Sequence, residues 1–174
     1  MRLYIVRHGK ANDPSPHAPP SPDAGPGVDA VDFARTLTAR GEAQARYLAA
    51  ELSATERRVR TVVASRFPRA LATARAIAPA IHASVVTDAR LEVDHPVSEA
   101  LEIIQDHAEA RALMLVAHNP QLGELISVLC HGLGAGDTLL RTGELVALDV
   151  RPTQPIGTAR IVARLRLSED AVAV

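Results

Sequence analysis

Leu3-Tyr4-Ile5-Val6-Arg7-His8-Gly9-Lys10 is an aliphatic run that stops abruptly in a cation, an imidazole, a glycine and a second cation. Residues 2–7 read as a buried strand, being short, apolar and closed by Gly9. Open α/β sheets bind their ligands where strands run out into loops. A histidine held there between two positive side chains suits a phosphoryl group better than another cation.

Working outward, strand and helix signals alternate over most of the chain. Residues 13–27, DPSPHAPPSPDAGPG, are dense in Pro and Gly and nearly free of large apolar side chains. Neither a regular helix nor a central strand fits that composition. The segment reads as a mobile loop, with a flap over the strand-1 end as the alternative. Thr38 is placed to cap a helix carried by Ala45, Leu48, Ala49 and Leu52, although Glu42 sits one residue too late for a strict capping box. Residues 61–64 form a short β-branched strand, and Pro68 suits the first turn of the helix through Leu71, Ala74, Ala78 and Ile81. Residues 84–87 read as a weaker strand and 91–96 as loop. A third helix runs through Val97, Leu101, Ile104 and Ala108. Residues 112–117 are the clearest buried strand after the first, and they lead into His118-Asn119-Pro120 and a helix through Leu122, Leu125, Ile126 and Leu129. Glycines 132, 134 and 136 end that helix. Residues 144–150 and 160–167 give two final strands around a turn-rich stretch at 152–157. The expectation is one α/β domain over 1–174, a three-layer α/β/α sandwich with a mostly parallel central sheet.

Composition narrows the function classes. A chain of 174 residues with 47% hydrophobic and 22% charged residues fits one globular domain. Aromatics are 2%, so the core is built from Ala, Val, Leu and Ile. A formal net charge of −1 gives no case for nucleic-acid or membrane binding. One of the 19 basic residues is Lys10 and the other 18 are Arg, a bias read as compositional drift, whereas the lone Lys lies beside the histidine. The single cysteine, Cys130, excludes an intrachain disulfide framework and any multi-cysteine metal cluster, and it reads as a small buried hydrophobe. Met1 leads almost directly into the first strand, and no apolar run approaches the ~20 residues of a membrane span. A cytoplasmic protein, monomeric, is the expectation. His17, His82, His95, His107 and His131 lack tight metal-ligand spacing and read as surface or packing residues. Arg57, Arg58 and Arg60 read as a solvated loop rather than a lip for an acidic partner.

Three strand-to-helix junctions carry chemistry: Arg7-His8-Gly9, residues 65–69, and His118-Asn119. In a parallel sheet they share one edge. Two imidazoles, two guanidiniums and nearby helix N-termini would converge there, a set matched to phosphate oxygens with no metal or other cofactor required. His8 is the candidate nucleophile, with one ring nitrogen held by a backbone acceptor at the Gly9 turn so that the other presents its lone pair. Attack on phosphorus would give a phosphohistidine that water then hydrolyses, while Arg7, Arg69 and His118 neutralise charge on the phosphoryl oxygens. Lys10 and Asn119 would fringe the pocket. Glu92 is the candidate acid for the leaving group, with Asp94 and Asp13 as substitutes.

These pieces resemble the histidine phosphatase superfamily, in which an Arg-His-Gly tripeptide closes the first strand of a phosphoglycerate mutase-like fold. The likeness rests on LYIVRHGKA (3–11), LTARG (37–41), SRFPRALATA (65–74), LE (91–92) and LVAHNP (115–120), in that order. It is strongest to the small branch of SixA-type phosphohistidine phosphatases. It implies the nucleophile at His8, phosphate binding by Arg7, Arg69 and His118, and the acid at Glu92. Two departures stand out: Arg66 follows Ser65 where the family usually has Pro, and the 13–27 segment is longer than in a minimal member. The large insertion with which bigger members wrap sugar phosphates is missing. The expected activity is hydrolysis of phosphohistidine on a signalling or phosphotransfer protein. A phosphomonoesterase or mutase acting on small phosphoesters is the alternative, and a non-catalytic phospho-binding module is the third.

Overall fold

The computed structural model describes residues 1–15, 21–56, 58–134, 136 and 138–168. Its strands are β1 (Arg2–Arg7), β2 (Val59–Ala64), β3 (Ser84–Thr87), β4 (Ala112–Ala117), β5 (Glu144–Asp149) and β6 (Arg160–Arg166). They form one sheet in the order β3-β2-β4-β1-β5-β6. The β3-β2-β4-β1 portion is parallel, while β5 and β6 join antiparallel to β1 and to each other. The helices are α1 (Ala30–Phe33), α2 (Ala39–Ser53), α3 (Pro68–Ile77), α4 (Val97–Asp106) and α5 (Gln121–His131), with short 3-10 turns at Ala78–Ile81 and Ala89–Leu91. The expected α/β architecture with a mostly parallel sheet is therefore the observed one.

The middle of β1 and β5 and the whole of β4 are buried and largely apolar because both faces of the sheet are covered there. On one face Leu3, Ile5, Leu113, Leu115, Val146 and Leu148 pack with Ile103 and Ile104 of α4 and Leu122, Leu125, Ile126 and Leu129 of α5. Tyr4, Val6, Val62, Ala64, Met114 and Val116 point the other way, against Leu48 and Leu52 of α2 and Ala70, Ala74 and Ile77 of α3. Alternate residues of each strand thus feed alternate layers.

Several local expectations hold in detail. Thr38 accepts from the Gly41 N–H at 3.1 Å as the cap of α2, and Pro68 opens α3. Differences fall at the margins. The α4 helix ends at Asp106, before Ala108, and β2 begins two residues earlier than the β-branched run suggested. The one-turn α1, capped by the Asp29 carboxylate, has no counterpart in the apolar pattern. The second half of the 13–27 segment, read as loop, forms turns and buries Ala24 with Phe33 and Phe67. His17 and Arg57 lie outside the described residues, as does the middle of that loop. Among the described residues no helix is long and apolar enough to cross a membrane.

The loop that follows β1 is pressed against the start of α2. A Cβ on Gly41 would lie 2.1 Å from the Lys10 carbonyl oxygen, and one on Gly9 would lie 2.5 Å from the Gly41 carbonyl oxygen. Backbone faces backbone there, so neither side has a soft group that can yield. Gly41→Ala is expected to cost about 1–3 kcal/mol of stability, as overpacking does, measured as a lower urea midpoint with an unchanged m-value.

Candidate active site

Because β4 lies between β1 and β2, the junctions that follow these three strands sit side by side. The ladder continues one residue past the strands: His8 N–H donates to Ala117 O at 3.2 Å and Ser65 N–H to Val116 O at 3.0 Å. This fixes His8 beside His118, with ring centroids 5.0 Å apart. Both rings are buried, at 6% and 4% exposure.

The His8 ring is clamped at both nitrogens. Its Nδ1–H donates to Gly9 O at 2.7 Å, and Nε2 accepts from Arg69 Nε at 3.3 Å. That pattern is a neutral imidazole with its lone pair on Nε2. Burial pushes the His8 pKa down from 6.5 to about 3. The Gly9 hydrogen bond opposes that shift, and the positive charges of Arg69, Arg7 and Arg35 reinforce it. The loop is pinned from behind by Thr73, whose hydroxyl accepts from the Gly9 N–H at 3.1 Å and donates to Arg69 O at 2.8 Å.

His118 is held by Ser65, with Nε2 and Oγ 2.9 Å apart. Ser65 Oγ already accepts from the Phe67 N–H at 3.3 Å, so its own proton is free to go to Nε2. The ring proton then sits on Nδ1, which is buried and has no protein partner. Arg7 is similar: Nη1 donates to Leu140 O at 2.8 Å, whereas Nε is buried and unpartnered. Buried donors without acceptors are uncommon and mark a place for an anion. The His118 pKa is driven well below its ordinary value by burial, then by His8 and the arginines. Burial likewise lowers those of Arg7 and Arg69. All four groups would gain from a negative charge placed among them.

Arg7, His8, Arg69 and His118 do come together, around a cavity of about 430 Å³. Lys10, exposed, and Asn119 line it as well. Asn119 Nδ2 donates to Leu140 O at 2.9 Å, leaving Oδ1 buried without a partner. Of the three carboxylates considered as acid, only Asp13 lines this cavity. Glu92 is 4% exposed and is bound to Arg66, with Nε to Oε1 at 2.5 Å and Nη2 to Oε2 at 3.3 Å. Together with Asp94 it lines a neighbouring cavity of about 710 Å³, whose wall shares Asp32 and Val93 with the first. The Glu92 carboxylate is thus engaged by Arg66 and lies outside the lining of the His8 cavity.

Sequence reasoning missed Asp32 and Arg35. Arg69 donates through Nη1 to Asp32 O at 2.6 Å and through Nη2 to Asp32 Oδ2 at 2.8 Å. Arg35 Nη1 holds Oδ1 at 2.8 Å. Burial pushes the Asp32 carboxyl up, but these two guanidiniums outweigh it and hold it below the usual range. The signal available was the Asp29-x-x-Asp32 spacing of a helix cap, easily passed over after fifteen residues of Pro-rich sequence. Among the described residues no three His, Cys, Asp or Glu side chains are grouped to hold a metal ion.

The family model for the histidine phosphatase superfamily (branch 1) matches residues 3–126. The chain belongs to that superfamily. Solved structures agree in fold. The protein histidine phosphatase SixA in complex with tungstate superposes with a TM-score of 0.74 at 20% identity, covering 95% of this chain and 97% of that one. A putative phosphohistidine phosphatase SixA from Agrobacterium tumefaciens gives 0.73 at 24%, covering 94% and 96%. A mycobacterial glucosyl-3-phosphoglycerate phosphatase in complex with VO3 gives 0.66 at 16%, covering 93% and 97%. No curated protein matches the sequence.

The low affinity of His8 for protons has two measurable consequences. By ¹⁵N NMR the ring is expected to stay neutral and Nδ1-protonated from pH 8 to about pH 4; titration near pH 6.5 would contradict the clamp. Between 6.5 and about 3 the unfolded chain binds a proton at this site that the folded one does not. Stability therefore rises with pH across that window and falls on acidification, with His118 acting in the same sense. Thermal melts from pH 7 to pH 4 check the direction.

Proposed function

We propose that the chain is a phosphatase that turns over its substrate through a covalent phosphohistidine on His8, and that its preferred substrate is phosphohistidine borne by a signalling or phosphotransfer protein. The observation that carries the first half is the two-ended clamp on His8: Nδ1–H fixed on Gly9 O, and the Nε2 lone pair held on Arg69 Nε–H, facing the cavity. The buried, unpartnered Arg7 Nε and His118 Nδ1 flank it and supply N–H groups for the phosphoryl oxygens. Arg69 Nε would exchange the ring nitrogen for such an oxygen as the new bond forms.

The chemistry balances in two steps. His8 Nε2 forms a bond to phosphorus as the bond from phosphorus to the leaving nitrogen breaks, and that nitrogen takes a proton from water. A second water then attacks phosphorus on the opposite side, the His8 N–P bond breaks, and phosphate departs, leaving His8 neutral. Neither step calls on a metal. Lys10 and Asn119 sit at the rim, where they would meet the substrate rather than the reacting bond. Glu92, held by Arg66, is not the proton donor in this scheme; Asp13 and the arginine-bound Asp32 are the carboxylates that line the cavity. A phosphoramidate needs little help from an acid, because its leaving nitrogen is protonated easily. The likeness to SixA points the same way.

The neighbouring cavity of about 710 Å³ favours a second reading. It is large enough for the organic part of a small phosphoester, and one of the structural neighbours is a glucosyl-3-phosphoglycerate phosphatase.

A substrate panel separates these readings. A phosphohistidine-bearing protein should be dephosphorylated with kcat/KM well above that for p-nitrophenyl phosphate or sugar phosphates. His8→Ala should abolish turnover of all of them, by a factor of about 10⁴ or more, as loss of a nucleophile does. Acid-labile phosphate should be trapped on wild type and not on the variant. Preference for a sugar phosphate would transfer the assignment to the second reading. Turnover that survives His8→Ala would overturn the mechanism, and absence of turnover on every substrate would leave a phospho-binding module.

A further inference from the structure

Among the described residues two leucines stand furthest into solvent, Leu139 at 70% exposure and Leu133 at 75%. A single exposed leucine is ordinary on a protein surface. Leu133 is of that kind. It follows the Gly132 cap of α5, a helix that begins just after His118 and runs away from the catalytic edge of the sheet. Leu139 is differently placed. The chain returns to it along α5, with Ser127 Oγ donating to Gly136 O and lying 3.2 Å from Thr138 Oγ1. At the first turn of α5 the backbones are so close that a Cβ on Gly123 would lie 2.6 Å from Thr138 O. On the other side Leu140 is buried, and its carbonyl accepts from Arg7 Nη1 at 2.8 Å and from Asn119 Nδ2 at 2.9 Å. The backbone is thus fastened immediately before and after Leu139, while the side chain is left in water. An apolar group already fixed in this way costs little ordering when a partner covers it.

Bond lengths bound its distance from the site. Arg7 and Asn119 both line the His8 cavity. The Leu139 Cα is at most about 6 Å of chain from Leu140 O, and so within about 9 Å of both donors. A protein–protein interface of ordinary size covers about 800 Å² of each partner, a disc of about 16 Å radius. Leu139 falls inside such a footprint centred on the cavity, in the region where anchor residues gather. Leu133 lies about 15 Å further along α5, away from that centre. Whatever carries the phosphoryl group to His8 must lie over this rim. A protein that inserts its phosphohistidine covers Leu139 with the surface around that residue, whereas a small phosphoester has no such surface. Lys10, exposed on the lining of the same cavity, adds a positive charge for an acidic side chain to meet.

We propose that Leu139 is the apolar anchor of a docking surface for a folded protein substrate, which meets it with an apolar patch beside its phosphohistidine. The inference rests on the phosphatase reading above and deepens it: recognition extends past the phosphoryl group to the fold that carries it, so that a phosphorylated peptide or metabolite lacks part of the contact.

The test gives the full chain three substrates: a phosphotransfer protein phosphorylated on histidine, a short peptide around the same phosphohistidine, and potassium phosphoramidate. Leu139→Ser is expected to lower the ratio of kcat/KM for the phosphoprotein to that for phosphoramidate by about tenfold, the effect of truncating one interface anchor. The loss should appear in KM, and the corresponding ratio for the peptide should keep its wild-type value. The unphosphorylated protein should compete with phosphoramidate on the wild type, with its inhibition constant raised by the same factor in Leu139→Ser. Leu139→Met and Leu133→Ser should both keep the wild-type ratio. A phosphoprotein ratio unchanged in Leu139→Ser, or lowered as far by Leu133→Ser, overturns the proposal. A wild-type chain that sediments as a dimer, beside a Leu139→Ser variant that sediments as a monomer, would give the leucine to a second copy and overturn it too. Should Leu139→Ser not fold, Leu139→Gln is read in its place. Absence of wild-type turnover on all three substrates would instead strike the phosphatase reading itself.

Discussion

Buried positive charge is the constraint around which this molecule is arranged. Arg7, His8, Arg69 and His118 share a site in which desolvation lowers the proton affinity of each. Isolated, such a cluster would be strongly unfavourable, because charges out of water need partners. The fold meets the cost in part. The two histidines are neutral, and Asp32 carries two guanidiniums on one carboxylate. Backbone carbonyls take further donors from Arg7 and Arg69. What is left unsatisfied, Arg7 Nε and His118 Nδ1, is a deficit shaped for oxygen atoms bearing negative charge. The sheet, the turn at Gly9 and the short α1 all serve to hold that deficit in place.

How much of this was legible follows from where each contact lies in the chain. Strands β1 and β4 announce themselves because both of their faces are buried, so the inner four positions of β1 and all six of β4 are buried and almost wholly apolar, and each run ends next to a histidine of the candidate site. The meeting of His8, Arg69 and His118 could be inferred from topology alone, since parallel strands deliver their C-terminal junctions to one edge. Asp32 could not. It acts from a four-residue helix after a Pro-rich stretch, and its partner Arg69 is 37 residues away. Glu92 was picked from its loop position, but its neighbour in space is Arg66, 26 residues earlier. Side-chain pairing across loops leaves no periodic trace, and an acidic residue in a loop reads the same whether its charge is free or already engaged.

The two cavities divide the labour of the site. The smaller holds the cationic groups and His8; the larger is bounded by the anchored part of the 13–27 segment and by the loop around Glu92. Their common wall, Asp32 and Val93, couples charge and shape. Asp32 orients the Arg69 guanidinium, while Val93 sits on the loop whose Glu92 is bound to Arg66. The Pro-rich segment meets this arrangement at both ends, through Asp13 on the wall of the smaller cavity and through Asp23 and Ala24, whose carbonyls accept from Arg66.

Thr73 is fully buried, and its single hydroxyl serves two masters, the Gly9 N–H on the loop after β1 and the Arg69 carbonyl on α3. The two halves of the centre are therefore geared together, and neither can be retuned alone. A lineage that drifts at position 73 must find compensating change at the ends of both β1 and α3 in the same stroke. Such a path is narrow, because one hydroxyl must satisfy both contacts at once.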